Sequence, residues 1–178
     1  MNKALLCIAR QKRFVVKELP TGLVPGKTYP VTLNDMNSVP LRSDPKVYLV
    51  AGQRIRVYEW HPGVADEQYR VQAVSYTYAF TMKAAGNEEE LLRFDWAREP
   101  DASSPYPSAH LHVGRGLLIS PTPIRPGDFH KAHIPTKRLS FESIVRFAIT
   151  ELKVRPQQAT WETTLDASEA AFEEHKTE

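Results

Sequence analysis

The strongest constraint on the fold is the alternation of residue types over residues 69–81. Large apolar and aromatic side chains fall on one face of this segment, and small or polar ones fall on the other. Successive side chains of a β-strand point to opposite faces, so a period of two predicts a half-buried strand with its aromatic face inward. The aromatic face consists of Val74, Tyr76, Tyr78 and Phe80.

Similar patterns on either side predict further strands in an antiparallel meander. Residues 47–50 and 55–60 are rich in aromatic and β-branched types, with a turn expected at Gly52. A hairpin turn is expected at residues 84–87, after which residues 91–96 alternate again. A short strand is also expected at residues 110–113, beyond a Pro- and Ser-rich loop.

One clear helical pattern follows the strands. Apolar residues from Phe141 to Leu152 recur at the spacing of one helix face, and Ser140 is the expected N-cap. A thinner apolar stripe predicts a second helix over about residues 160–174, in an acidic tail. These elements predict an α+β fold, in which an antiparallel sheet of about five strands packs against one amphipathic helix.

The chain of 178 residues is expected to form a single domain. Residues 1–45 are interpreted as an N-terminal segment with a Pro-rich arm, because their prolines and glycines allow only short extended pieces. Residues 46–152 are the predicted α+β core, and residues 153–178 are a C-terminal helical tail.

Composition narrows the classes of function. A net charge of +2 is too small to indicate nucleic-acid binding without local clusters of Lys and Arg. The single cysteine, Cys7, rules out an intrachain disulfide, and the apolar run at residues 4–9 is too short for a signal sequence or a membrane span. A cytoplasmic protein without a membrane partner is therefore expected. ATP chemistry and thiol catalysis are disfavoured, since the sequence has no Gly-rich nucleotide loop and Cys7 has no obvious helper.

The chemistry is expected in residues 106–138, where four of the six histidines lie. His110 and His112 are separated by one residue on a predicted strand, so both imidazoles can point into one space. The other two histidines of this segment are His130 and His133.

Three interpretations of these histidines remain open. In the first, His110, His112 and His133 supply the acid, base and orienting groups of a metal-free phosphodiester cleavage, and Arg138 neutralises the phosphate. In the second, the same three histidines bind a divalent transition metal. In the third, they are surface groups that hydrogen-bond to backbone carbonyls.

Other polar residues are candidates for substrate binding. Arg93 and Asp95 share the polar face of their strand, where they could bind a phosphate, orient a histidine or form an ion pair. Thr136 lies near the start of the predicted helix. Arg54 and Arg56 share one strand face with Tyr58 and Trp60, in a basic and aromatic stripe that could contact single-stranded nucleic acid. Core packing is the favoured role of the two aromatic residues, since both are ordinary sheet formers.

The chain resembles the small bacterial toxins of the TumE type over residues 46–152. The resemblance rests on the aromatic strand at residues 69–80, the strand at residues 92–95 and the Pro-rich loop that leads into His110, Leu111 and His112. Residues 133–140 are similar to the corresponding segment of a broader group of uncharacterised bacterial proteins. This chain has Phe94 where the family pattern has Trp.

The resemblance implies the toxin half of a toxin–antitoxin or defence system, which acts on RNA and has a cognate antitoxin-like partner. We therefore expect a toxin-like ribonuclease that needs no cofactor. The alternatives are a noncatalytic module that binds nucleic acid or protein, and a metal-dependent hydrolase that uses the same histidines. The C-terminal stripe could also engage a second copy of the chain in a homo-oligomer.

Overall fold

The structure is a computed structural model. It describes residues 1–9, 12–17, 24–59, 69–84, 87–100, 103, 106–114 and 133–174. For Ala84, His133, Pro135 and residues 171–174, only the backbone is described.

The described residues form one antiparallel sheet of eight strands, which lie in the order β1-β2-β4-β5-β6-β7-β8, with β3 paired to β4. Strands β4 to β8 follow one another in both sequence and space, so the antiparallel, sequential order of the predicted meander is confirmed. The strands are β1 (Phe14–Val16), β2 (Thr28–Leu33), β3 (Val39–Pro40), β4 (Val47–Glu59), β5 (Tyr69–Ala84), β6 (Asn87–Ala97), β7 (Ala109–Val113) and β8 (His133–Pro135).

The expected count of about five strands is too low, because residues 1–45 contribute β1, β2 and β3 and residues 133–135 contribute β8. In the other direction, the two strands expected at residues 47–50 and 55–60 form the single strand β4. Pro30 lies inside β2, and its carbonyl accepts a hydrogen bond from the Lys17 amide at 3.0 Å. In a β-strand the nitrogen and the carbonyl oxygen of one residue point to the same side, so the nitrogen of Pro30 also faces away from β4. Its missing N–H therefore removes no hydrogen bond between β2 and β4.

Gly52 does not form the expected turn, because β4 runs through it without interruption. The short 3-10 turn Asn34–Met36 lies over this position, and a side chain at residue 52 would collide with the thioether of Met36. Glycine here leaves room for the flexible side chain of Met36 and does not serve a bend in the chain.

Three α-helices are present in the described part of the chain: α1 (Asn2–Leu5), α2 (Phe141–Thr150) and α3 (Trp161–Glu174). Ser140 caps α2 as predicted, since its hydroxyl accepts from the Ser143 amide at 3.0 Å. The helical side of the protein therefore contains more than the one amphipathic helix that was expected. None of the described helices has the length and apolar character needed to cross a membrane.

The C-terminal helix α3 is docked and not a loose tail. Leu165 is fully buried, and Glu169 Oε1 accepts hydrogen bonds from the hydroxyls of Ser140 and Ser143 at 2.7 and 3.2 Å. A carboxylate at this position is stabilised by the partial positive charge at the start of α2.

The helices cover one side of the sheet, which we call the inner face. Tyr78 of β5 packs against Phe141 of α2 with ring centroids 5.3 Å apart, and Phe94 of β6 packs edge-to-face against Phe147 at 5.6 Å. The inward aromatic face predicted for β5 is thus confirmed, and Tyr76, Tyr78 and Phe80 are buried there. The opposite side of the same strands is the outer face.

Candidate functional site

The register of β6, β7 and β8 brings the predicted polar residues together. Asp95 lies directly opposite His110, Arg93 lies opposite His112, and His112 lies opposite His133. Residues directly opposite one another in an antiparallel pair point to the same face. Thr77 of β5 joins them because it lies opposite Asp95. We call the side chains of Thr77, Arg93, Asp95, His110 and His112 the outer-face cluster.

Asp95 is the centre of this cluster. Its Oδ1 accepts from the Thr77 hydroxyl at 2.8 Å, and its Oδ2 accepts from Arg93 Nε at 2.9 Å. His112 Nε2 lies 3.2 Å from the same Oδ2 atom. A carboxylate with three such partners is held in one orientation, so it can in turn fix the positions of the groups around it.

The contact with Asp95 determines which nitrogen of His112 carries a proton. A carboxylate oxygen can only accept a hydrogen bond, so Nε2 is the protonated nitrogen. In the neutral ring the basic lone pair is then on Nδ1. The His112 side chain is only 12% exposed, which limits competition from water for this contact.

His110 has the opposite tautomer, which is set by a backbone group. Its Nδ1 lies 2.7 Å from the Pro107 carbonyl, which can only accept, so the basic nitrogen of the neutral ring is Nε2. The rings of His110 and His112 meet edge to face with centroids 4.8 Å apart. Two imidazoles with fixed tautomers therefore lie side by side on the outer face.

Arg93 forms the ion pair that was one of its predicted roles. Besides Asp95, its Nη1 contacts Glu90 Oε2 at 3.1 Å. Its positive charge is shared between two carboxylates, and it balances their charge more than it offers an uncompensated cation to a phosphate. The predicted link between Asp95 and a histidine is present as well.

The cluster also contains a set of metal-ligating groups. Three donor atoms lie within 4.8 Å of one another, one from each of Asp95, His110 and His112. Two imidazole nitrogens and one carboxylate oxygen are a donor set that transition metals accept, and the Pro107 carbonyl is the kind of partner that orients a ligating histidine. Asp95 takes the place that the sequence interpretation gave to His133, whose side chain lies outside the description.

Arg138 lies apart from the outer-face cluster. Its guanidinium stacks 4.3 Å from the ring centroid of Trp96, which is on the inner face. The next amide, that of Leu139, donates to the hydroxyl of Tyr76 at 2.8 Å. The chain has crossed from β8 to the helix side of the sheet at this point, so closeness in sequence to His133 does not bring Arg138 to the histidines. Thr136 marks the crossing, with its amide bonded to the Ala109 carbonyl at 3.1 Å.

Arg54 and Arg56 share the outer face with the cluster but lie on β4. Arg54 is exposed and pairs across the ladder with Ser75, and Arg56 Nη1 is 3.6 Å from Glu99 Oε1. They lie two strands away from Asp95. His130, the remaining histidine of the predicted segment, is outside the described residues.

The buried tyrosines belong to the core, as the sequence pattern indicates. Burial raises the pKa of Tyr76, although its hydrogen bond from the Leu139 amide and the charge of Arg138 oppose that shift. Burial also raises the pKa of Tyr78, and the neighbouring Tyr76 and Glu142 add to the effect. Both phenols are therefore neutral structural groups.

Sequence reasoning missed Thr77, Glu90 and the Pro107 carbonyl as supports of the site. Thr77 could have been found, because the alternation of β5 places it on the polar face of that strand. The candidate site is thus two oriented imidazoles on β7, with a shared carboxylate and one guanidinium on the neighbouring strand β6. No protein-family model, no curated protein and no solved structure matches this chain.

Proposed function

We propose that this protein is a toxin-like ribonuclease that cleaves RNA by histidine acid–base catalysis without a metal. The observation that carries the proposal is the 3.2 Å contact of His112 Nε2 with Asp95, beside the ring of His110. A carboxylate that orients one imidazole next to a second is suited to moving protons in two directions.

The reaction follows from the two tautomers. His110 Nε2 removes the proton from a ribose 2′-hydroxyl, and the resulting oxygen attacks the adjacent phosphorus. The bond from phosphorus to the 5′-oxygen breaks, and that oxygen takes a proton from Nδ1 of the His112 imidazolium. The products are a 2′,3′-cyclic phosphate and a 5′-hydroxyl. Asp95 stabilises the positive charge of His112 before the transfer.

A metal-dependent hydrolase is the second candidate, and the proximity of the three donor atoms of Asp95, His110 and His112 favours it. A bound transition metal would supply an activated water and a positive charge at the phosphate. The hydrogen bonds that Thr77 and Arg93 donate to both oxygens of Asp95 weigh against this candidate, because a cation would have to compete with them.

The biological setting rests on the family resemblance of residues 46–152. It makes the protein one half of a bacterial toxin–antitoxin or defence system, in the cytoplasm, with a cognate antitoxin-like protein as its partner. Growth arrest on expression, relieved by a neighbouring gene and absent with His112→Ala, would support this setting.

The test is a cleavage assay with single-stranded RNA, single-stranded DNA and duplex DNA, each with and without EDTA. We expect EDTA-resistant cleavage of RNA alone, and a fall of about 10²- to 10⁴-fold in rate for His112→Ala, since that is the usual contribution of a general acid or base. Thermal unfolding checks that the variant is folded.

A substrate with one 2′-deoxyribose at the cleaved position separates the two candidates. Metal-free transesterification needs the 2′-hydroxyl and should stop, whereas metal-dependent hydrolysis should continue. EDTA-sensitive cleavage would favour the metal-dependent candidate, and full activity of His112→Ala would rule out the proposed mechanism. No cleavage of any substrate would point instead to a noncatalytic binding module.

A further inference from the structure

The outer face continues beyond the cluster along a ribbon that consists of residues 54–59 of β4 and residues 69–75 of β5. These segments pair with each other from the Arg54–Ser75 pair to the Glu59–Tyr69 pair. Strand β6 pairs with β5 only as far as Ser75, so in the described part of the chain residues 69–74 of the ribbon have no partner in β6. On the outer side of the ribbon, Arg54 is exposed and the Arg56 side chain is 41% exposed, so this surface is accessible at both residues.

The outer side of the ribbon is basic and aromatic. Arg54, Arg56 and Tyr58 alternate along β4, and Arg70 lies directly opposite Tyr58. Arg56 pairs with Glu99, whose side chain is 72% exposed, at 3.6 Å. An ion pair this exposed contributes little free energy, so a phosphate can replace Glu99 as the partner of Arg56.

The ribbon and the cluster lie within reach of one extended ligand. His110 lies in a row of directly paired residues that runs across the sheet through Asp95 and Thr77 to Gly52 of β4. Arg54 is two residues along β4 from Gly52, so it is three strands across and two residues along from His110. Strand spacing gives about 14 Å across and about 7 Å along, or about 16 Å between the two α-carbons. A flexible polyanion that places one phosphate at the histidines can place a neighbouring phosphate at Arg54.

We propose that the ribbon binds the single-stranded RNA chain that flanks the cleaved phosphate, so that the enzyme acts on chains longer than a dinucleotide. This inference rests on the proposed ribonuclease function. Guanidinium groups pair with successive phosphates, and the Tyr58 ring stacks on an unpaired base. A single strand fits better than a duplex, because bases inside a duplex are already stacked and paired.

The test compares kcat/KM for a dinucleotide and for a single-stranded RNA of about twelve nucleotides, within the range that such surfaces cover. We expect the wild type to prefer the longer substrate by at least tenfold. Changing Arg54 and Arg56 together to Gln should bring the ratio of the two values toward one. It should also reduce the slope of log KM against the logarithm of the salt concentration, for the longer substrate, by about 1.4. This is the change expected for the loss of two phosphate contacts to a single strand.

The matched control is the double change of Arg146 and Arg155 to Gln, which removes the same charge from α2 and from the segment between α2 and α3. This variant should keep the wild-type ratio of substrates and the wild-type salt dependence. An equal loss in the control would mean that overall charge and not the ribbon is responsible, and would overturn the inference.

RNA binding by the ribbon and cleavage at the histidines can be tested separately. A wild type that cleaves the dinucleotide as efficiently as the longer RNA would overturn the ribbon proposal and leave the ribonuclease proposal standing. If the wild type cleaves neither, binding of the same RNA is measured by fluorescence anisotropy. Salt-sensitive binding that is weakened by the Arg54 and Arg56 changes would support the ribbon. No binding, or equal binding of duplex and single strand, would overturn it.

Discussion

The two faces of strands β5, β6 and β7 differ in what holds their side chains. On the inner face, rings pack against α2, as Phe94 does against Phe147. On the outer face, hydrogen bonds and charge fix the side chains, as Asp95 does for His112. Neighbouring residues of one strand therefore serve different purposes, and substitutions at Phe94 and Asp95 should separate stability from activity.

The largest expected effect is on the inner face. Phe94→Ala should lower the free energy of unfolding by about 3–5 kcal/mol, because it removes a buried ring and leaves a cavity beside Phe147. Urea denaturation measures this loss. Phe94→Leu, which keeps more of the volume, should cost less. The difference between the faces would disappear if Phe94→Ala left stability intact but abolished RNA cleavage.

A smaller effect is expected on the outer face. Asp95→Asn keeps the size of the side chain but removes the charge that stabilises the His112 imidazolium. A hydrogen bond between charged groups contributes about 1.5–3 kcal/mol, so kcat/KM for RNA should fall by about 10- to 100-fold. The urea midpoint should change little compared with that of Phe94→Ala. Thr77→Val is the milder control, since it removes only one of the hydrogen bonds to Asp95. A larger loss of activity for Thr77→Val than for Asp95→Asn would contradict this account.

A substitution at the start of α2 should lower the free energy of unfolding less than the loss of the Phe94 ring does. Ser140→Ala removes the cap of α2 and a hydroxyl bonded to Glu169, and it should cost about 1 kcal/mol of unfolding free energy. Thermal and urea denaturation measure it. A Ser140→Asp variant keeps the capping acceptor but puts a negative charge beside Glu169, so it should be less stable than the wild type.

The last prediction concerns the reactivity of Cys7, which is buried near α3. Burial raises the pKa of its thiol, although a hydrogen bond from Gln158 opposes this shift. With a folded pKa above the unfolded value, the stabilising contribution is fully present below the unfolded pKa and is lost as the pH rises through the folded pKa. Iodoacetamide at pH 8 should label this single thiol far more slowly in the folded protein than in urea. Equal rates would mean that the helical layer opens readily.

Local pattern was sufficient for several elements. The alternation in β5 and β6 predicted strands with an inward aromatic face, and the apolar spacing after Ser140 predicted α2 and its cap. These predictions succeeded because the periods of 2 and 3.6 residues depend only on neighbouring residues. The count of strands failed because β2 and β3 are recruited by pairing with β4 and β1 by pairing with β2, and no local pattern in a Pro-rich segment indicates its partner.

The candidate site was predicted in part. His110 and His112 were expected to share a face, and Arg93 and Asp95 were expected to share one, since each pair is separated by one residue in a strand. That the two pairs lie opposite each other depends on the register of β6 and β7, which are joined through residues 98–108. Arg138 was expected near the histidines by sequence distance alone, and the crossing to the inner face after β8 separates them.

The sequence by itself determined the α+β class, the aromatic core of the strands, the capped helix and the two pairs of polar residues, because each depends on local periodicity. Only the tertiary structure decided that Asp95 orients His112, that Thr77 and the Pro107 carbonyl complete the arrangement, and that Arg138 stacks on Trp96. These contacts depend on strand register and on the face to which each segment returns. Both are set by packing between residues far apart in the chain.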